Sequence, residues 1–193
     1  MTLTAAAIML AAVRFAGWEA ALFAASIPLA RICGFGRFRR AEEQLLAVLA
    51  IEVTLESSVA GLFSFLRMNS QPVYWTTAAV GLAGVAASRA GRDSIRQFAR
   101  ALTRFQVFRY PRSAGVAAAL LAPLFFLSFR PVEEIDSINY LHYLIEWMAN
   151  RATPYTFATN FVAFWELSFL PAWMVTRVDL FFPLLALKAL AIL

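Results

Sequence analysis

Apolar residues along this chain fall in long runs, and charged residues collect between them. The first run covers roughly Leu3 to Ile32, the second Gln44 to Leu66, the third Val73 to Ser88 and the fourth Ala114 to Phe129. Such runs predict membrane-crossing helices, each of which needs about 20 predominantly apolar residues. The fourth is short for a span and contains Pro123. A fifth run starts near Asp179 and reaches Leu193, which is 15 residues. At 1.5 Å per residue that is about 22 Å of helix. The expectation is that more chain follows, or that a partner completes this span.

The intervening segments differ in character. Arg31, Arg37, Arg39 and Arg40 form a basic loop, with Gly34 and Gly36 breaking the helix. A polar turn at Arg67–Pro72 precedes Tyr74 and Trp75, aromatics that favour a membrane interface. Arg89 to Arg112 holds seven arginines against one acid, Asp93. Arg92, Arg96, Arg100 and Arg104 recur every four residues and share one helical face. Phe98, Leu102 and Phe105 fall on another. The pattern predicts an amphipathic interfacial helix with its apolar side toward lipid, ended by Pro111. Its arginine stripe suits anionic lipid headgroups, with docking of a cytoplasmic partner as the alternative.

Beyond Phe129 the composition changes. Glu133, Glu134 and Asp136 fall within four residues, and the only histidine, His142, follows. Ile135, Tyr140, Tyr143, Leu144 and Trp147 recur at helical spacing, and a second helix is expected over roughly Thr156 to Leu170, before Pro171. Both are expected to lie along the outer surface. The fold class is therefore all-α: a polytopic integral membrane protein with interfacial amphipathic helices. Its parts are a three-helix lead-in (1–88), a basic interfacial helix (89–112) and an external region with its flanking spans (113–193).

Composition supports that class. The chain is 61% hydrophobic and 15% charged, against about 45–50% and about 25% in soluble domains. The net charge of +5 is mostly clustered arginine, which in a membrane protein sets orientation first. No nucleic-acid-binding module accompanies it. A single cysteine, Cys33, excludes an internal disulfide and a multi-cysteine metal site. Cys33 lies near the cytoplasmic interface, a palmitoylation position in principle and otherwise an inert one. Both basic segments are expected in the cytoplasm, so residues 131–177 fall outside.

Four ionisable residues lie within the first two runs: Arg14, Glu19, Glu52 and Glu56. Such groups are costly in lipid and seek partners. Glu52 and Glu56 are four apart and share a face. Antiparallel pairing about Phe35 puts Arg14 and Glu56 at similar depth. An Arg14–Glu56 pair is expected, with Glu19 nearer Glu52, fixing helix packing; a proton relay is the alternative.

From Asp136 to His142, D-S-I-N-Y-L-H, the chain resembles the bacterial GT-C membrane glycosyltransferases that use polyprenyl-phosphate sugars. The matching positions are Asp136, Ser137, Tyr140, His142, Trp147 and Glu166, and the resemblance covers roughly Ala114 to Leu193. In the family pattern the histidine directly follows the tyrosine, whereas here Leu141 intervenes. The resemblance implies that Asp136 is the general base on an acceptor hydroxyl. It further implies that Glu133, Glu134, Tyr140, His142 and Glu166 line the substrate, and that the site lies outside a bacterial cytoplasmic membrane. Glu133 or Glu134 could instead act as base or hold a divalent metal ion. Arg130, Arg151 and Arg177 are the only outer candidates for a donor phosphate. By the resemblance the chain is expected to be the amino-terminal part of such a transferase; the alternative, from another class, is a non-catalytic subunit packed with other chains in a larger membrane assembly.

Overall fold

A computed structural model describes residues 4–34, 37–104, 167 and 169–177, with isolated positions at 115, 119 and 149. Every regular element among them is a helix: α1 (Ala5–Ile32), α2 (Ala41–Phe65), α3 (Gln71–Ala87), α4 (Arg89–Leu102) and α5 (Phe169–Thr176). Two of these, α1 and α2, are long and apolar enough to cross a membrane. The 17 residues of α3 fall short of that length. The expected fourth span, the acidic stretch and the run ending at Leu193 lie outside the described residues.

Local chemistry sets the boundaries. Thr4 caps α1, its hydroxyl accepting from the Ala7 amide at 3.3 Å. The helix ends at Cys33, and Gly34 follows at φ +90°, a conformation that glycine adopts without steric cost. Glu42 and Glu43 occupy the first turn of α2, where carboxylates complement the helix dipole. α2 ends in a Schellman motif: the Met68 amide donates to the Phe63 carbonyl at 2.8 Å, with Arg67 in the left-handed region at φ 56°. Pro72 opens α3, where its missing N–H is not needed.

α1, α2 and α3 run up, down and up. One layer of the core joins Trp18, Ala21 and Leu22 of α1 to Ala60, Tyr74 and Ala78 of α2 and α3. Trp18 meets Tyr74 edge-on at 5.6 Å, and Phe63 meets Tyr74 at 5.2 Å. Such pairs add about 0.5–1.5 kcal/mol each beyond burial. A second layer joins Ile27 and Ala30 to Val48 and Phe98, at the end where α1 stops and α2 starts.

Two expectations are corrected. The outer-surface helix expected over roughly 156–170 lies mostly outside the described residues, but Pro171 does not stop a helix, and residues 169–176 are not surface-lying. They form α5, and Leu170, Met174 and Val175 are buried against the first layer. Pro171 is the third residue of α5, in the first turn, where its missing N–H removes no intrahelical bond, and burying the three side chains contributes about 1.5–3 kcal/mol each. Nor does Phe98, on the apolar side of α4, turn to lipid, although Leu102 on the same side is exposed. Phe98 is 7% exposed and packs on Phe23 of α1 at 5.7 Å, so the helix closes the end of the bundle. It also stops at Leu102, well short of Pro111.

Candidate functional site

The two basic segments meet at one end of the bundle. α3 and α4 are joined at Ser88 with no intervening loop, and the Ser88 hydroxyl caps α4 by accepting from the Gly91 amide at 3.1 Å. α4 thereby crosses the carboxyl end of α1 and the amino end of α2. A cavity of about 300 Å³ opens between them. Ile27, Ala30 and Arg31 line it from α1, and Gln44 and Val48 from α2. Ser94, Gln97, Phe98, Arg100 and Ala101 line it from α4, with Arg104 just beyond. The floor is apolar and the rim carries three guanidinium groups.

The four arginines of the periodic stripe have separate roles. Arg92 donates to the Ala86 carbonyl and, at 3.0 Å, to that of Ala87. It thereby satisfies carbonyls that α3 leaves unpaired at its end. Arg96 pairs with Asp93 at 3.7 Å, and Arg89 pairs with the same carboxylate at 3.9 Å. Arg100 and Arg104 face the cavity. Arg31 joins them, donating to the Ser94 hydroxyl at 3.4 Å, while Ser94 donates to the Ala90 carbonyl. Arg31, Arg100 and Arg104 form no ion pair among the described residues. Arg31 was readable only as part of a basic loop. Its place in the cavity follows from the two basic segments sharing one end.

A second polar group lies within the bundle. Glu52 and Glu56 share a face of α2 and are 2% and 0% exposed. The expected Arg14–Glu56 pair does not form. Glu56 instead accepts from the Trp18 indole N–H at 3.4 Å, one turn along α1 from Arg14. Nearby, the Tyr74 hydroxyl donates to Asn69 at 2.8 Å, and Asn69 donates to Ser64 at 3.0 Å. These bonds tie the α2–α3 turn to the core. The Ser57 hydroxyl is buried with no hydrogen-bond partner among the described residues.

Asp136, Glu133, Glu134, Tyr140, His142 and Glu166 lie outside the described residues. Among the described residues, no group of three or more His, Cys, Asp or Glu side chains is placed to hold a metal ion. Comparison with protein-family models, curated proteins and solved structures finds no match.

Proposed function

We propose that this chain is the amino-terminal part of a GT-C-like membrane glycosyltransferase that takes sugar from a polyprenyl-phosphate donor. The observation that carries the proposal is the D-S-I-N-Y run at Asp136–Tyr140, directly beyond the apolar segment at 114–129. The helices lend support of a general kind. α1 and α2 have span length, and the two basic segments share one end of the bundle. The positive-inside rule assigns that end to the cytoplasm. One further crossing at 114–129 then brings Asp136 to the outer face of the bacterial cytoplasmic membrane. There the Asp136 carboxylate takes the acceptor hydroxyl proton as that oxygen bonds to the anomeric carbon. The bond from that carbon to the lipid phosphate breaks, with inversion, and the polyprenyl phosphate leaves. Glu133, Glu134, Tyr140, His142 and Glu166 orient the substrates.

The test is sugar transfer by membranes containing the full chain, with Asp136→Asn as the variant. A general base contributes about 10²–10⁴-fold, so a loss of that size is expected. Unchanged transfer by the variant overturns the proposal.

One observation favours a second reading, a non-catalytic subunit of a membrane assembly. Met9, Val13, Ile32, Phe65 and Val80 are large apolar residues exposed around the bundle. Such surfaces suit lipid or further membrane chains. Isolation of the chain in a fixed complex, with transfer indifferent to Asp136, supports this reading.

A further inference from the structure

We propose that the cavity under α4 is a binding site for a phosphate ester carrying an apolar substituent. The proposal stands on α1, α2 and α4 alone and does not rest on the transferase assignment.

Three guanidinium groups, Arg31 from one part of the chain and Arg100 and Arg104 from another, converge on one cavity of about 300 Å³. None is neutralised by a carboxylate among the described residues. The acid nearest to Arg100 and Arg104 in sequence, Asp93, is engaged by Arg89 and Arg96. Ser94 sits behind the rim, 5% exposed, and holds Arg31 by a hydrogen bond. The positive rim is therefore built into the packing. A guanidinium presents a planar fork of N–H donors that matches phosphate oxygens in pairs. Below the rim, Val48 and Phe98 are 3% and 7% exposed and offer an apolar floor. A phosphate head at the rim with a hydrocarbon group against that floor satisfies both halves. The stripe does not act as a unit here. Arg92 and Arg96 are committed to α3 carbonyls and to Asp93, whereas Arg100 of α4 and Arg104, just past its end, work with Arg31 of α1.

Two sources carry this chemistry: an anionic phospholipid, and a soluble organic phosphate. The experiment titrates the full chain, purified in mild detergent, with phosphatidate while adducts are counted by native mass spectrometry. Phosphatidylcholine serves as a zwitterionic reference and glycerol 3-phosphate as a competitor. One phosphatidate per chain is expected, held more tightly than phosphatidylcholine. The exposed pair Arg31→Gln/Arg100→Gln weakens it by about tenfold or more, since a charge-assisted contact contributes more than 1.4 kcal/mol. Arg89→Gln, on an exposed arginine outside the cavity, leaves it unchanged. Displacement by glycerol 3-phosphate identifies a soluble phosphate as the source, and its failure to displace identifies lipid. Equal binding of phosphatidylcholine, an unaffected Arg31→Gln/Arg100→Gln variant, or an equal loss in Arg89→Gln overturns the proposal.

Discussion

Glu56 shows what a residue needs inside a packed bundle. Its side chain is fully buried, and an indole N–H supplies one of its contacts. A buried acceptor that loses a donor costs about 1–3 kcal/mol. Trp18→Phe keeps a ring against Tyr74 and removes that donor. It is expected to lower stability by roughly that amount in a detergent thermal melt. An unchanged melting temperature would show that the bond contributes nothing. The sequence makes the Glu52–Glu56 face legible, because a spacing of four puts both on one side of a helix. The partner is not legible. Counting residues from the loop points to Arg14, whereas Trp18 lies four residues further along the same helical face, about 6 Å on. Helix tilt and side-chain length decide that offset, and neither is written in the spacing.

At the scale of elements, α4 depends on close backbone approach. A Cβ on Gly91 would meet the Val85 carbonyl oxygen at 2.6 Å. Both atoms belong to helix ends and neither can swing away. Gly91→Ala is expected to cost about 1–3 kcal/mol, the range for overpacking. It should loosen α4 from the end of α3. Gly84→Ala is the control, because nothing lies within 4 Å of a Cβ there. It is expected to be neutral or to stabilise by up to about 1 kcal/mol through helix propensity. Melting temperatures of the two variants check the pair, and equal effects would contradict the contact. The periodicity of Arg92 to Arg104 made α4 and its amphipathic character legible. It did not reveal which surface the apolar face covers. Lipid and protein accept the same side chains, and only the buried contact of Phe98 with Phe23 decides between them. α5 was missed for a related reason. Pro171 reads locally as a stop, while the burial that holds the helix comes from residues about 100 or more positions earlier.

For the whole molecule, the arrangement of charge is the organising feature. Arg31 at the end of α1 and Arg100 in α4 share one cavity although 69 positions separate them in sequence. The up-down-up path of α1 to α3 brings them together, and that path was legible from alternating apolar runs and basic loops. The three-guanidinium rim was not, because it requires the packing angle of α4. The proposed function requires this basic end to face the cytoplasm and the acidic run at Glu133–Asp136 to face the opposite side. Cys33 offers a direct test, being the only cysteine and exposed at the basic end. The measurement is labelling by a membrane-impermeant maleimide in intact cells and in inverted vesicles. It compares the natural chain with a Cys33→Ser chain that carries Ser137→Cys. Cys33 should label only in inverted vesicles, and the cysteine at 137 only in intact cells. Labelling of both from the same side would contradict the topology, and with it the placement of Asp136 at an outer-face site.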